Sequence, residues 1–412
     1  MNAKPKAIGP IPAGYEARDG NLIIGGRSAD EWVEHAGRTP LFLYSQSLLE
    51  QRMADLRAAM PERLRINYAI KANSFEPVLK LMSTLVDGLD IASGGELALV
   101  QQAGIDTARV SFAGPGKRDS ELEAAIAARV TLNLESEGEA ARALTIADRL
   151  GIAPRLAIRV NPDFELKGSG MKMGGGAKPF GVDAERVPAL ARHVIGAGAD
   201  WRGLHIFTGS QALDAEALVE AQGNVLDLAD RIAREADFAM PKLNMGGGFG
   251  IPYFDGDRPL DITRVGEALA ERFASLPPSL EHAELFIELG RYLVGEAGVY
   301  LTRIVDRKVS HDETYLVTDG GLHHQLAASG NFGTVVRRNY PVAVAARFDA
   351  PPEEIASVVG CLCTPLDRLA DRAELPRAEV GDLVAVFCAG AYGASASPSA
   401  FLGQGPAEEL LV

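Results

Sequence analysis

A lysine at the end of a short apolar strand is the first residue whose placement suggests chemistry. The segment Arg65-Ile-Asn-Tyr-Ala-Ile-Lys71-Ala-Asn73 predicts a strand over Ile66–Ile70 that runs directly into Lys71. Burial disfavours the charged form of an amine, so a lysine there needs either a use for its amine or a path to solvent. Most lysines are solvated, and Lys71 taken alone is better explained as a side chain that reaches the rim.

Further unusual residues fall at or near the carboxyl ends of later predicted strands. They are Asp90, Arg159, His205 and Phe207 ahead of Thr208-Gly209-Ser210, Gly246-Gly247-Gly248, and Glu288 ahead of Gly290-Arg291. Three glycines after a strand let backbone N–H groups approach an anion, although a plain turn explains such a run about as often. A phosphate site, a lysine that can form a Schiff base and an acid for a ring nitrogen together describe pyridoxal 5′-phosphate (PLP). No zinc spacing, Walker loop or Rossmann fingerprint competes, and no metal site is expected.

Strands alternate with helical patterns through the centre of the chain, and this alternation would bring those residues together. The predicted strands are Ile66–Ile70, Leu89–Ala92, Arg109–Ala113, Thr131–Leu134, Leu156–Val160, Gly203–Phe207, Lys242–Met245 and Leu285–Glu288. Eight βα units over roughly 230 residues favour a TIM barrel over a doubly wound open sheet, which does not require eight strands. Active sites of such barrels form at the carboxyl ends of the strands, and the loops after strands seven and eight commonly bind phosphate.

The flanking segments predict a second, all-β domain. Short β-rich segments follow Glu288 with little helical periodicity: Val299–Val305, Tyr315–Thr318, Val342–Ala346, Ile355–Val359 and Leu383–Phe387. N-terminal strands at Asn21–Ile24 and Leu41–Tyr44 have no place in a closed barrel, so we expect them to pair with this domain. The expected division is residues 1–45 joining the β domain, 46–291 forming the barrel and 292–412 forming the C-terminal β domain.

Composition and charge exclude several classes of protein. The 412 residues are 47% hydrophobic and 23% charged, which is typical of a globular protein with two domains. A net charge of -14 argues against a nucleic-acid surface. Neither a run of ~18 apolar residues nor an apolar signal core is present, so we expect neither a membrane span nor export. The three cysteines, Cys361, Cys363 and Cys388, suit a reducing cytoplasm better than a disulfide framework. The glycine-rich loop 167–177 is either a mobile flap or a neutral insertion.

Seven motifs, in order, make the chain resemble the fold-type III PLP decarboxylases, a group that includes diaminopimelate and ornithine decarboxylases. They are Tyr68-Ala-Ile-Lys71-Ala-Asn73, Asp90-Ile-Ala-Ser-Gly-Gly-Glu96, Gly203-Leu-His-Ile-Phe-Thr-Gly-Ser-Gln211, Gly246-Gly-Gly-Phe-Gly250, Glu288-Leu-Gly-Arg291, Asp319-Gly-Gly321 and Gly390-Ala-Tyr392. The motifs cover nearly the whole chain. The resemblance implies a barrel with a β domain built from both termini, and a homodimer with active sites at its interface.

The resemblance also implies roles for individual residues. Lys71 would hold PLP covalently, and Glu288 would pair with the pyridine nitrogen. Cys363 would be contributed by the other subunit and return a proton to Cα, unless it is simply a small buried apolar residue. Phe207 occupies the position of a histidine that stacks on the cofactor in the best-known members, or else is barrel core. The residues that match the phosphate shell or the surroundings of the Schiff base are Ser210, Gly247, Gly248, Gly290, Arg291, Tyr392, Asp90 and Arg159.

The segment Cys363-Thr364-Pro365-Leu366-Asp367 departs from the diamine-using enzymes, which place an acid directly after the cysteine. Thr364 cannot supply that charge, and the Arg-Pro-x-Leu-Tyr signature of diaminopimelate decarboxylases is missing. A buried ammonium without a partner costs several kcal/mol, so a diamine should bind poorly unless Asp367 meets it. Asp319 and His324 are the other candidate substrate residues. The pattern is similar to the exosortase-system-associated decarboxylases and to enzymes acting on glutamyl thioesters held by an acyl carrier protein.

We therefore expect a PLP-dependent L-amino-acid α-decarboxylase whose substrate lacks a free distal ammonium, such as a carrier-protein-bound glutamyl thioester. The alternative is a diaminopimelate decarboxylase of lysine biosynthesis. A racemase is disfavoured, because racemases of this fold resemble a design with an arginine at the ring nitrogen, where this chain has Glu288. A non-catalytic PLP-binding protein is disfavoured because those relatives are single barrels. We expect a cytoplasmic homodimer acting on a small or carrier-bound substrate, with neither nucleic acid nor membrane as a partner.

Overall fold

The computed structural model describes residues 4–168, 170–172, 174–330 and 337–412. The chain forms two compact units. One comprises Met53–Gly250 and Pro259–Gly290, and the other comprises Met1–Arg52, Ile251–Arg258 and Arg291–Val412. Within these described ranges, no helix is both long enough and apolar enough to cross a bilayer.

The regular elements are numbered in chain order. The strands are β1 (Glu16–Arg18), β2 (Asn21–Ile24), β3 (Arg27–Ser28), β4 (Leu41–Tyr44), β5 (Leu64–Ala69), β6 (Gly88–Ile91), β7 (Val110–Phe112), β8 (Thr131–Leu134), β9 (Arg155–Asn161), β10 (Met171–Lys172), β11 (Val182–Asp183), β12 (Asp200–Ile206), β13 (Gly209–Ser210), β14 (Lys242–Gly247), β15 (Glu284–Leu289), β16 (Gly298–Ser310), β17 (Glu313–Thr318), β18 (Val342–Val344), β19 (Glu354–Val359), β20 (Arg368–Leu375), β21 (Leu383–Val386) and β22 (Glu408–Leu411). The α-helices are α1 (Ala29–Ala36), α2 (Gln46–Ala59), α3 (Glu76–Leu85), α4 (Gly94–Gln102), α5 (Asp119–Ala127), α6 (Glu137–Leu150), α7 (Val187–Gly196), α8 (Ala215–Ala236), α9 (Ile262–Phe273) and α10 (Arg291–Val294).

The first unit is a closed barrel of parallel strands. Its strands follow the order β5-β6-β7-β8-β9-β12-β14-β15, and β15 pairs with β5 to close the ring. One of the helices α3 to α9 lies in each connection between successive barrel strands. Each of the eight predicted strands overlaps one of these, so the predicted TIM barrel is confirmed.

Helix packing in the barrel unit follows the sequence periodicity. Helix α8 buries Leu218, Val225, Leu228 and Ile232, which recur at the spacing of one helical face. Helices α4 and α6 begin at serine caps, where the side-chain oxygen accepts the N–H of a glutamate three residues later. The connections are therefore specified locally, and they fix the order in which the barrel strands meet.

The second unit is β-rich and draws strands from both ends of the chain. The long strand β16 pairs with β17, β21 and β4, and β4 also pairs in parallel with the C-terminal strand β22. The predicted β domain built from both termini is confirmed. Strand β2 differs from the expectation, because it pairs with β1 and β3 in a separate three-stranded sheet whose Leu22 and Ile24 join the same apolar core. The predicted strand Val342–Ala346 ends at Val344, where a 3-10 turn begins.

Candidate active site

The carboxyl ends of the barrel strands bring several predicted residues together. Glu288 lies near the end of β15, Asp90 in β6 and Arg159 in β9. Lys71 follows the first barrel strand, but not directly as predicted, because β5 ends at Ala69 and Lys71 is an exposed residue of the 3-10 turn Ile70–Ala72. The positive charge of Lys71 favours the ionised forms of both Asp90 and Glu288.

Glu288 is held as an anion. Burial alone would raise its pKa, but His205, Lys71 and Arg159 together lower the pKa of Glu288 to about 2. The Nε2 atom of His205 lies 3.0 Å from Glu288 Oε2. The Nδ2 atom of Asn244 donates a hydrogen bond to the same oxygen at 3.0 Å.

The pKa of Asp90 is shifted in the opposite direction, upward. Both of its carboxylate oxygens are buried and accept no hydrogen bond from the described residues. Burial and the negative charge of Glu288 raise the pKa of Asp90 well above its ordinary value. The barrel thus shifts the pKa values of two interacting carboxyl groups in opposite directions.

Arg159 lies in a buried ion pair. Its Nη1 atom donates to Glu135 Oε1 at 3.0 Å, and its guanidinium lies 4.9 Å from the centre of the Phe180 ring. Glu135 also accepts the backbone N–H groups of Gly114 and Gly181, which ties two loops to this pair. Arg159 is therefore fixed in place, and its charge contributes to the field at Glu288.

The glycine run after β14 is packed too tightly for any side chain. A Cβ atom at Gly247 would collide with the carbonyl oxygen of Glu288, and one at Gly248 would lie 2.6 Å from the carbonyl oxygen of Gly209. Gly248 also has a φ of 89°, which disfavours residues other than glycine. Gly290 is similarly confined, since its Cβ would meet that of Ala72 at 2.9 Å. These positions require glycine because atoms of neighbouring segments approach them closely.

The segment after β12 carries Phe207 and Ser210, both half-buried. Ser210 belongs to β13, which pairs with β10 from the glycine-rich loop. Ser169 and Met173 of that loop lie outside the described residues. The segment also contacts the glycine run, because Ala212 donates its N–H to the carbonyl oxygen of Gly248.

Gly114-Pro-Gly-Lys117 is not a phosphate loop with a free lysine. Lys117 is buried, and its Nζ donates to Glu139 at 2.8 Å and to the carbonyl oxygens of Gly114 and Asn133. Its ammonium is committed to holding the chain between β7 and β8.

A polar cavity of about 280 Å³ lies at the other, amino-terminal end of the barrel. Asn67, Ser111, Asn133 and Asn244 contribute polar side chains to its wall, and Arg65 and Lys242 are among the charged residues that line it. Bulky branched residues usually fill this layer of a TIM barrel. Here small and polar residues replace most of them.

In the β-rich unit, Arg291 lies among aromatic rings. Its Nη1 donates to the hydroxyl of Tyr253 at 2.8 Å, and its guanidinium lies 4.9 Å from the centre of the Tyr392 ring. Burial would lower the pKa of Arg291, but the hydroxyls of Tyr253, Tyr392 and Tyr340 outweigh it and raise that pKa. Its buried Nε has no hydrogen-bond partner among the described residues. Arg291 and Tyr392, predicted together from motifs about a hundred residues apart, are thus neighbours.

Cys363 is exposed in the single chain, in the segment between β19 and β20. This exposure does not fit the alternative of a small buried core residue. Thr364 follows it, and the Thr364 hydroxyl accepts the N–H of Leu366 at 3.3 Å. Thr364 thus brings no charge to this segment.

The carboxylates near this segment are already engaged. Asp367 accepts the N–H of Leu322 at 2.6 Å with one oxygen and the N–H of Leu362 at 2.8 Å with the other. Asp319 accepts the hydroxyl of Thr302 at 2.7 Å and the N–H of Arg303 at 2.9 Å. Both predicted substrate carboxylates therefore bind the protein itself.

His324 is also engaged through both ring nitrogens. Its Nε2 lies 3.0 Å from the carbonyl oxygen of Gly405, so that nitrogen donates, and its Nδ1 accepts the Tyr300 hydroxyl at 3.0 Å. Burial and neighbouring His323 lower the pKa of His324 to about 4. The side chain is neutral at physiological pH.

The sequence did not single out Asn244 or Glu135, which contact Glu288 and Arg159. Asn244 lies two positions before the glycine run and faces the barrel interior two positions from Lys242, another residue that lines the cavity. Because side chains alternate along a strand, a polar residue two positions before Gly246 was the available signal.

The barrel residues fit PLP by their chemistry. Two buried carboxylates, one of them without hydrogen-bond partners among the described residues, lie within the influence of Lys71, and a glycine run ends β14 at the same end of the barrel. Such a site can hold an aldehyde cofactor with a ring nitrogen and a phosphate. A barrel of this form with these residues at the carboxyl ends of its strands is typical of PLP enzymes.

Comparison with known proteins identifies the family. The profile of the pyridoxal-dependent decarboxylases, pyridoxal binding domain, matches residues 46–295. The L-glutamyl-[BtrI acyl-carrier protein] decarboxylase of Niallia circulans is 34% identical over 90% of this chain and 88% of its own length. The diaminopimelate decarboxylase of Aquifex aeolicus is 33% identical over 92% of this chain and 87% of its own. The structure of diaminopimelate decarboxylase from M. jannaschii with L-lysine superposes with a TM-score of 0.87 at 26% identity, covering 97% of this chain and 93% of that one.

The chain belongs to the pyridoxal-dependent decarboxylase family. It is a PLP-dependent carboxy-lyase of fold type III, which confirms the predicted class, cofactor and reaction type.

Proposed function

We propose that this enzyme removes the α-carboxylate of an L-amino-acyl substrate whose distal end carries no free ammonium, such as a glutamyl group held by a carrier protein. The observation that carries the proposal is the engagement of Asp367, whose two oxygens bind the N–H groups of Leu322 and Leu362. Thr364, which follows Cys363, brings no charge in its place. A desolvated ammonium would lack a partner there and would be bound poorly. The acyl-carrier-protein specificity of the Niallia circulans relative supports the same substrate class.

Within the barrel, Lys71 would carry the cofactor through its amine, which the exposed position at the end of β5 allows. When bound, PLP supplies a pyridinium ring that takes up the electron pair left as the Cα–carboxylate bond breaks. Glu288 stays ionised at neutral pH and would hold a proton on the ring nitrogen. Asp90 and Arg159 would lie near the amine of Lys71.

The remaining cofactor contacts would come from groups that bind an anion. Gly247, Gly248 and Gly290 would contribute backbone N–H groups. Arg291 keeps its positive charge at every physiological pH, and its buried Nε has no hydrogen-bond partner among the described residues. We assign these groups, with Ser210 and Tyr392, to the phosphate, and Phe207 to the face of the ring.

Cys363 would deliver the proton that replaces the carboxylate at Cα. Its thiol is exposed in the single chain, as a residue that completes another subunit's site must be. We therefore assign a homodimer with shared sites, acting in the cytoplasm, where thiols stay reduced.

A substrate panel tests the specificity. Purified enzyme is offered diaminopimelate, ornithine, lysine and a glutamyl carrier protein, and products are weighed by mass spectrometry. We expect loss of CO2 from the glutamyl carrier protein and slow turnover of the amines. The variant Thr364→Asp restores an acid after the cysteine, and it should gain turnover of diaminopimelate. Rapid turnover of diaminopimelate by the unaltered enzyme would instead establish the alternative, a diaminopimelate decarboxylase.

The role of Lys71 is tested by visible absorbance spectroscopy. Purified enzyme should show the visible absorbance of lysine-bound PLP, and Lys71→Ala should lose that band because the covalent anchor is gone. Lys80→Ala is the control, since Lys80 lies on the surface of α3, where it pairs with Glu76. Retention of the band in Lys71→Ala would refute the assignment.

A further inference from the structure

Two side chains contact the same oxygen of the Glu288 carboxylate. Asn244 Nδ2 donates a hydrogen bond to Oε2 at 3.0 Å. His205 Nε2 lies 3.0 Å from the same oxygen, although it makes no hydrogen bond with the described residues. Both contacts thus fix the same oxygen of the carboxylate.

The two contacts come from neighbouring strands whose register places them side by side. His205 on β12 is directly opposite Asn244 on β14. Between β14 and β15 the register shifts, because Asn244 is opposite Phe286 whereas Gly247 is opposite Glu288. Three steps on β14 therefore match two on β15, which is a β-bulge, and such bulges redirect side chains next to functional sites.

Asn244 also holds the bulge in place. Its Oδ1 accepts the N–H of Gly246 at 2.9 Å, two residues along the chain, as asparagine does in turns. Gly246 has a φ of 69°, and it begins the run in which Gly247 and Gly248 lie against the backbone of Glu288 and Gly209. The side-chain amide of Asn244 thus contacts Glu288 through its nitrogen and the start of the glycine run through its oxygen.

We propose that His205 and Asn244 are positioning residues that orient Glu288 through Oε2, and that Asn244 sets the spacing between this acid and the glycine run. The inference rests on the proposed roles of Glu288 and the glycines in binding the cofactor. In this proposal the side-chain amide of Asn244 sets the distance between the acid that would meet the ring nitrogen and the glycines that would bind the phosphate.

The charges around Glu288 make these contacts matter. Lys71 after β5, Arg159 on β9 and His205 on β12 favour the ionised form of Glu288. The charge of Glu288 in turn raises the pKa of Asp90 on β6. Removing a donor from a buried carboxylate favours its protonated form. A protonated Glu288 no longer holds a proton on the ring nitrogen.

Four variants separate the contacts. Asn244→Asp keeps the acceptor for Gly246 but places an oxygen against Glu288, whereas Asn244→Leu removes both contacts. His205→Leu removes the polar contact at Oε2, and His205→Gln keeps a polar side chain at that position. Asn133→Leu is the matched control, because Asn133 is another asparagine facing the barrel interior whose amide donates to Ser111, away from Glu288.

Apoprotein of each variant is titrated with PLP, and the absorbance of the loaded protein is followed from acid to neutral pH. We expect Asn244→Asp, Asn244→Leu and His205→Leu to bind PLP roughly ten- to hundredfold more weakly, the range set by hydrogen bonds to charged groups. The spectral change on acidification should move to higher pH in Asn244→Asp, and His205→Gln should recover most of the affinity lost in His205→Leu. Asn133→Leu should match the unaltered protein.

Circular dichroism first establishes that each variant is folded. If folded Asn244→Asp and His205→Leu bind PLP as Asn133→Leu does and keep its pH profile, the inference is overturned. Failure of the proposed function is a different result, because the unaltered protein itself would then neither bind PLP nor release CO2 from an amino-acyl substrate.

Discussion

The surroundings of two carboxyl groups in one barrel, Asp90 and Glu288, shift their pKa values in opposite directions. His205, Lys71 and Arg159 lower the pKa of Glu288 to about 2, whereas burial and Glu288 itself raise the pKa of Asp90. Pairs of acids whose pKa values are pushed apart are characteristic of catalytic sites.

The raised pKa of Asp90 has a consequence for stability. Between the pKa of an unfolded aspartate, ~3.9, and its higher folded value, the folded protein binds more protons, so Asp90 lowers stability as the pH rises. Asp90→Asn removes this titration at nearly constant volume. We expect the melting temperature of apo Asp90→Asn to exceed that of the unaltered apoprotein by a margin that grows as the pH rises from ~3.9 toward the folded pKa of Asp90.

Asp87 provides a control of opposite sign. Burial opposes ionisation of Asp87, but the N–H of Ile66 and the guanidinium of Arg57 lower its pKa. A lowered pKa stabilises the fold above the unfolded value and loses this effect as the pH falls through the folded one. Asp87→Asn should therefore destabilise at pH 7, with a difference that shrinks toward pH 3. Equal pH trends for the two variants would contradict both assignments.

At the scale of elements, the end of β14 depends on glycine for space. A methyl group at Gly247 would collide with the carbonyl oxygen of Glu288. We expect Gly247→Ala to destabilise the barrel by about 1–3 kcal/mol, as overpacking does, and to weaken PLP binding. Chemical denaturation and PLP titration measure the two effects.

Gly116→Ala is the matched control, because nothing lies within 4 Å of a Cβ at that position. It should leave both quantities unchanged. If Gly247→Ala behaved in the same way, the close approach between β14 and β15 would not constrain the site.

The regular alternation of the barrel was predictable because each strand carries its own apolar run and each helix its own periodicity. Strand β20 was missed: its sequence, Arg-Leu-Ala-Asp-Arg-Ala-Glu-Leu, is charged and rich in alanine, and only pairing with β19 makes it a strand. Strand β22 was missed for the same reason, because Glu408–Leu411 is extended only through its pairing with β4. Both strands are specified by tertiary contacts that local sequence does not contain.

The same limit applies to the candidate site. The residues predicted in the barrel lie at strand ends, where type and position together suggest chemistry. Asn244 could not be recognised in this way, because its contact to Glu288 depends on a bulge in the register with β15. The commitment of Asp367 to two backbone N–H groups likewise appears only in the folded β-rich unit.

At the scale of the whole molecule, the exposed Cys363 predicts complementation between subunits. Lys71→Ala and Cys363→Ala should each be nearly inactive alone. If sites are shared, half of the dimers in an equal mixture combine both variants, and each of these has one intact site. We expect about a quarter of the unaltered activity after subunit exchange, measured as CO2 release.

Mixing Lys71→Ala with Glu288→Ala is the corresponding control, because both changes lie in the barrel and no combination of subunits restores an intact one. That mixture should stay inactive. Activity that recovers in neither mixture would mean that each subunit supplies its own cysteine.

The polar cavity at the amino-terminal end of the barrel bears on how the protein responds to compression. A dry void of about 280 Å³ would shrink when the chain unfolds, so hydrostatic pressure would favour denaturation. A wall built from Asn67, Ser111 and Asn133 instead admits solvent while the fold is intact, because such side chains offer hydrogen bonds to water. Little volume then remains to be lost on unfolding. We therefore expect this end of the barrel to resist kilobar pressures better than a dry cavity of the same volume would.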